Sequence, residues 1–229
     1  MKETFITGDG SVTIYMADLK ESYHSRHGAV SESKHVFIEA GLKEAFLRFG
    51  LKLNILEIGF GTGLNALLTF QEARKHRLQV WYTALELNPV SPDLLKPLNY
   101  GITTGYPTDD SVFERMHDTP FNVAAEISED FVLEKRLTDV RDFSDSPYRY
   151  HLVYFDAFAP RVQPELWTEE VFSRIMAAMA PNGVLVTYSA KSDVQRALKS
   201  VGFDVQKIPG PPGKREMIRA SAHNGLKAL

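Results

Sequence analysis

The chain has 229 residues, is 44% hydrophobic and 24% charged, carries a net charge of −3 and contains no cysteine. This composition suits one folded α/β domain with a small decoration and excludes a disordered chain, disulfides and thiolate metal sites. A protein that grips many phosphates is usually basic, so the acidic balance argues against an extended nucleic-acid surface. The first ten residues lack the basic-then-apolar order of a secretory leader, and no apolar run reaches membrane-spanning length, so a cytoplasmic protein is expected.

Phe5 to Met16 alternates apolar and polar residues around Gly8-Asp9-Gly10, which predicts a β-hairpin. A Ser-, His- and Tyr-rich stretch follows from Glu21 to Ser33. The pattern from His35 to Phe49 predicts a helix with Val36, Phe37, Leu42, Phe46 and Leu47 on its apolar side. Leu53 to Ile58 reads as a buried strand that runs into Gly59-Phe60-Gly61-Thr62-Gly63 and a helix through Ala73. Val80 to Glu86 is a second strand, Pro89 to Leu98 a helix or loop, and Thr103 to Thr119 an irregular connection with a short helix. Asn122 to Ile127 and Phe131 to Leu137 read as paired strands, and Leu152 to Asp156 as a strongly buried one. Thr168 to Met179 predicts a helix ended by Pro181-Asn182-Gly183, followed by a strand from Gly183 to Tyr188 and a helix from Asp193 to Val201. Phe203 to Ile208 and Glu216 to Ala220 form a closing hairpin. Repeated strand–helix alternation implies a mainly parallel sheet covered on both faces, with one antiparallel strand from that hairpin. The division expected is an N-terminal hairpin-and-helix extension over residues 1–50 and one compact unit over 51–229.

The strand–glycine–helix passage is the most informative. Glycines there allow positive φ and leave bare backbone for a ligand, and the helix N-terminus favours an anionic group. The dinucleotide spacing Gly-x-Gly-x-x-Gly is not met, because Leu64 stands at its last position, and this disfavours a nicotinamide oxidoreductase. Glu57-x-Gly59-x-Gly61-x-Gly63, with Thr62 inside the turn, instead resembles the first motif of class I S-adenosylmethionine methyltransferases. The resemblance implies a Rossmann-like seven-stranded fold with S-adenosylmethionine over the glycine turn. It also implies Glu57 as the motif acid, Glu86 on the ribose hydroxyls, and Asp139 on the adenine amine or as a turn cap.

His151 to Pro160 places Asp156 and Phe158 at the carboxyl end of a central strand, the edge where ligands of open α/β sheets collect. An alkyl amine is largely protonated at neutral pH, so it must lose a proton before attacking a methyl group. A carboxylate such as Asp156 can orient the ammonium and help remove that proton, while Phe158 walls the site or stacks on a base.

Asp156-Ala157-Phe158-Ala159-Pro160 and Pro164-Glu165-Leu166-Trp167-Thr168 resemble a narrower family, the tRNA 5-aminomethyluridine methyltransferases that form one half of bifunctional MnmC. Gly8-Asp9-Gly10-Ser11, Tyr23-His24-Ser25 with Gly28-Ala29 and Glu32-Ser33, and Gly213-Lys214-Arg215-Glu216-Met217 extend the likeness nearly end to end. It implies methylation of the amine of 5-aminomethyl-(2-thio)uridine at the tRNA wobble position, within the anticodon loop. The flavin half is expected to be absent, which leaves open whether a separate oxidoreductase supplies that amine; neither flavin nor metal is expected. From Lys191 onward eight basic residues stand against three acidic ones, and Lys191, Lys214, Arg215 and Arg161 are the candidate phosphate contacts, with Tyr23 and His24 closing over cofactor or base. Trp167 is read as core. The rival readings are a methyltransferase for a small-molecule or protein amine, an aminopropyltransferase, and a non-catalytic tRNA-binding module.

Overall fold

Runs of β-branched and aromatic residues alternating with amphipathic helices build a layered α/β structure. The computed structural model describes residues 2–106, 109–144 and 149–222. Strands β1 (Lys2–Ile6) and β2 (Val12–Met16) form the expected hairpin, and β3 (Glu21–Ser22) adds a third short strand to this small antiparallel sheet.

A continuous helical segment follows: α1 (Ala29–Ser33), a π-helical stretch (Lys34–Leu42) and α2 (Lys43–Phe49). It begins earlier than the hydrophobic pattern alone predicts because distant side chains cap it. Asp9 Oδ2 accepts from Ser31 N at 2.8 Å, and the Thr7 and Ser11 hydroxyls accept from Ala29 N at 3.3 and 3.2 Å. These acceptors satisfy amide groups that a helix start leaves unpaired. The π-helical stretch also corrects the expected apolar face. Its wider turn rotates the following residues, so Leu47 is 79% exposed while Val36, Phe37 and Leu42 are buried.

The main sheet contains β4 (Lys52–Ile58), β5 (Gln79–Glu86), β6 (Ala124–Ser128), β7 (Phe131–Leu137), β8 (Tyr150–Phe155), β9 (Met179–Thr187), β10 (Phe203–Pro209) and β11 (Glu216–Ala222). Its order is β10-β11-β9-β8-β4-β5-β7-β6. Pairing is parallel from β9 through β7 and antiparallel at β11 and β6. The seven-stranded order is therefore present with an eighth strand, β6, hairpinned onto its edge. Helices α3 (Leu64–His76), α4 (Pro92–Leu95), α5 (Tyr100–Thr104), α6 (Asp110–Asp118), α7 (Glu169–Ala178) and α8 (Ser192–Ser200) complete the chain. Strand β9 starts four residues before the expected Gly183, through an irregularity in its pairing with β8.

Side chains alternate across the central strands, as the two-residue strand period requires. Ile55, Tyr82, Leu133 and Tyr154 pack on the face covered by the N-terminal helical segment and α3. Leu56, Leu85, Val153 and Phe155 pack on the opposite face with α7 and α8. Among the described residues no helix is long and apolar enough to cross a membrane.

Candidate functional site

Strand register brings the chemistry together. Ile58 pairs with Phe155, and Glu86 with Leu137, so Gly59, Glu86, Asp139 and Asp156 emerge side by side at the carboxyl edge of the sheet. They border a cavity of about 830 Å³.

Gly59, Gly61 and Gly63 have φ of 90°, 52° and 76°. A Cβ on Gly59 would lie 3.1 Å from the Asp156 carbonyl oxygen, on Gly61 3.1 Å from the Tyr23 ring, and on Gly63 2.8 Å from His117 Nε2. Backbone sign and space therefore both favour glycine. Gly63 faces away from the cavity onto α6, whereas Gly59, Gly61 and Thr62 line it. Sequence reasoning missed the brace beneath the turn. His117 Nε2 hydrogen-bonds the Thr62 carbonyl at 3.0 Å, and Lys135 Nζ donates to the His117 carbonyl at 2.6 Å while lying over the Phe60 ring. Burial lowers His117 to about 4, so it is neutral at pH 7, with Nε2–H donating. Burial likewise draws Lys135 down to about 8.

The carboxylates divide by environment. Glu86 accepts from Gly61 N at 2.9 Å and Asn88 N at 2.7 Å, one on each oxygen. Two lone-pair directions remain for a diol. Asp139 lines the cavity and takes both the backbone N–H and the guanidinium of Arg141, at 2.8 and 2.7 Å. The hydrogen bonds from the Arg141 side chain lower its pKa. Ile58, Leu85 and Val140 supply an apolar slot beside these acids. Glu57 is fully buried behind the cavity wall and meets it through Asn65, whose Nδ2 donates to Glu57 Oε1 at 2.9 Å and to Asp156 Oδ2 at 2.8 Å. Burial raises the Glu57 carboxyl well above its usual range and takes Asp156 to about 8.

Over the cavity, Tyr23, whose ring lies against Gly61, meets Phe158 edge to face with centroids 5.1 Å apart. The Phe158 loop is held from below by Trp167 Nε1, which donates to the Phe158 carbonyl at 2.9 Å. Trp167 is 6% exposed, so it is core, as read from the sequence. His24 is buried, bonded to Thr13 Oγ1 at 2.9 Å, and lowered by burial to about 4. It braces the N-terminal sheet against Tyr100, whose hydroxyl donates to Thr62 Oγ1. Lys214 lines the cavity, with its Nζ 2.6 Å from Glu32 and 3.9 Å over the Tyr188 ring and about a third of its side chain exposed. Arg161 pairs with Glu21 near the cavity mouth, while Lys191 and Arg215 are exposed and outside the lining.

The family model described as an S-adenosyl-L-methionine-dependent methyltransferase matches residues 112–223. The tRNA 5-methylaminomethyl-2-thiouridine biosynthesis bifunctional protein MnmC of Aromatoleum aromaticum is 30% identical over 227 residues, covering 93% of this chain and 34% of that protein. The protein of the same name from Azoarcus is 28% identical over 90% of this chain and 34% of its own length. The crystal structure of MNMC2 from Aquifex aeolicus superposes with a TM-score of 0.76 at 27% identity, over 97% of this chain and 70% of that one.

The chain belongs to the S-adenosyl-L-methionine-dependent methyltransferases. It spans about a third of the length of the curated MnmC proteins it matches. The cavity of this methyltransferase fits the cofactor of its family. Gly59 and Gly61 present bare backbone along the cavity lining, the Ile58–Leu85–Val140 slot suits a flat aromatic base, and Glu86 suits a diol.

Proposed function

We propose that this chain is an S-adenosylmethionine-dependent N-methyltransferase. Its acceptor is 5-aminomethyl-(2-thio)uridine at the tRNA wobble position, and its product is 5-methylaminomethyl-(2-thio)uridine. One observation carries the reading: a carboxyl, Asp156, lines one cavity together with a glycine turn suited to the donor and an aromatic pair, Tyr23 and Phe158, suited to a base.

When bound, the cofactor supplies a methyl group on a sulfonium centre. Gly59, Gly61 and Thr62 would carry its methionine part, Glu86 would accept from the ribose hydroxyls, and Asp139 would accept from the adenine amine. Glu57 acts from behind the wall, and Gly63 lets the turn close. Asp156 holds the acceptor ammonium, takes its proton and leaves a lone pair aimed at the methyl carbon. The raised affinity of Asp156 for a proton matches that task, because a base near neutrality accepts and releases protons readily. Tyr23 and Phe158 grip the extruded base by stacking, the mode by which single-stranded loops are read. His24 supports Tyr23. Arg161, Lys191 and Arg215 meet backbone phosphates of the anticodon loop, and Lys214 faces the acceptor.

Residues 1–50 and 51–229 act as one unit in this scheme, since the N-terminal segment roofs the cavity. A separate oxidoreductase generates the amine, and the reaction takes place in the cytoplasm where tRNA is modified. The test is incubation with isotopically labelled cofactor and tRNA from cells lacking the wobble methyl group, followed by nucleoside mass spectrometry. Labelled methylaminomethyl-uridine is the expected product. Label on a free amine or a protein, with none on tRNA, would overturn the acceptor.

A further inference from the structure

Asn65 is the second residue of α3, directly after the glycine turn, and it is 3% exposed. From one nitrogen it donates to two carboxyls, Glu57 at 2.9 Å and Asp156 at 2.8 Å. Among the described residues its carbonyl oxygen is buried without a hydrogen-bond partner. A buried amide oxygen left unpaired is unfavourable, so the orientation of this side chain is set by the demands of the two carboxyls. Few small side chains can do this. Serine has one donor, aspartate would add a third carboxylate, and leucine would strand both acids in an apolar wall.

We propose that Asn65 is a positioning residue that ties the Asp156 carboxyl to the buried Glu57 anchor by one oxygen and leaves the other oxygen to the methyl acceptor. This rests on the methyltransferase reading above and adds a residue to it. Glu57 is itself immobilised in the sheet, paired through its backbone between β5 and β8. The amide therefore fixes Asp156 relative to the strand edge rather than to a loop. Hydrogen bonds to the charged form favour that form, so Asn65 also opposes the effect of burial on Asp156. In the step served, the acceptor ammonium passes a proton to the free Asp156 oxygen. The nitrogen lone pair then forms the new bond to the methyl carbon, and the carbon–sulfur pair leaves on sulfur. Product release returns the Asp156 proton to water.

The test needs no substrate in its first arm. Aspartate is labelled at the carboxyl carbon, the Asp156 resonance is assigned by its loss in Asp156→Asn, and the free protein is titrated by NMR. Asn65→Ala is expected to raise the Asp156 midpoint by about one to two pH units, the worth of a hydrogen bond to a charged group. Asn65→Ser, which keeps one donor, is expected to raise it less, and it serves as the folded variant if the alanine form melts below the assay temperature. A midpoint unmoved in a folded variant overturns the proposal. In the second arm, the acid limb of single-turnover methyl transfer should move to higher pH by the same amount, together with a lowered plateau. A uniform loss of rate with the limb in place also overturns it, since that is what a merely structural residue would produce. Wild-type protein that titrates as described yet methylates no tRNA removes the proposed acceptor and leaves the Asn65 assignment standing.

Discussion

At the residue scale, Asp156 couples the site to folding. Burial raises its carboxyl from 3.8 to about 8, so between those pH values the folded chain holds a proton that the unfolded chain has released. Stability therefore falls as pH rises through that window and levels off above it. Asp156→Asn removes the titration. In urea denaturation at pH 8 it is expected to be more stable than wild type by on the order of 1–3 kcal/mol, with the gap closing toward pH 4. The same variant should lose methyl transfer by at least about a hundredfold, the usual worth of a positioned base. Gly61 is the second sensitive point. Gly61→Ala would strain a φ of 52° and press on Tyr23. Calorimetric titration with the demethylated cofactor should show affinity weakened about tenfold or more, since left-handed backbone costs a side chain about 1–2 kcal/mol.

At the scale of elements, the N-terminal hairpin acts as a capping device as much as a sheet. Asp9 gathers Thr7 Oγ1, Ser11 N, Ser11 Oγ and Ser31 N. Burial alone would raise its pKa, and these hydrogen bonds outweigh burial and hold it at about 2. Its contribution is therefore present above pH 4 and is lost as pH falls toward 2. Asp9→Ala should destabilise the chain by about 1–2 kcal/mol at pH 7 in urea unfolding, the range for losing a helix cap. Because α1 carries Glu32 into the cavity wall, the loss should reach the site as well as the fold. The closely spaced Gly8-Asp9-Gly10-Ser11 and Gly28-Ala29 motifs, distant from the glycine turn in sequence, thus have a physical reason: one supplies the cap and the other the helix that needs it. Gly28 gives the cap room, since a Cβ there would lie 2.5 Å from Asp9 Oδ2.

At the scale of the whole molecule, the two ends of the described chain meet over the cavity. The turn between β10 and β11 sets Lys214 on Glu32 of α1, and Gly213 packs closely on the His27 ring. The N-terminal segment and the closing hairpin thereby border the cavity together. Glu32→Gln and Lys214→Met, made singly and together, should give a coupling of about 1 kcal/mol in chemical denaturation. Independent, additive effects would show that the contact does not join the two ends. A third of the Lys214 side chain remains exposed, which keeps this expectation well below that for a fully buried pair.

The sheet, its parallel centre and the glycine turn were legible in the sequence because each rests on local patterns: apolar strands, a glycine-rich turn between strand and helix, and acids at strand ends. Local pattern also located Asp156, Glu86 and Asp139. It could not find Asn65, His117 or Lys135, since each looks like an ordinary helix or strand polar residue until α3, α6 and β7 pack against the turn. It misjudged Leu47, because a π-helical stretch shifts the face that periodicity assumes. It could not name Glu32 as the partner of Lys214, because charge composition records sign and not partner. Hydrogen-bond partners distant along the chain are set by how layers pack, and only the tertiary structure decides which buried acid shares a proton donor with which.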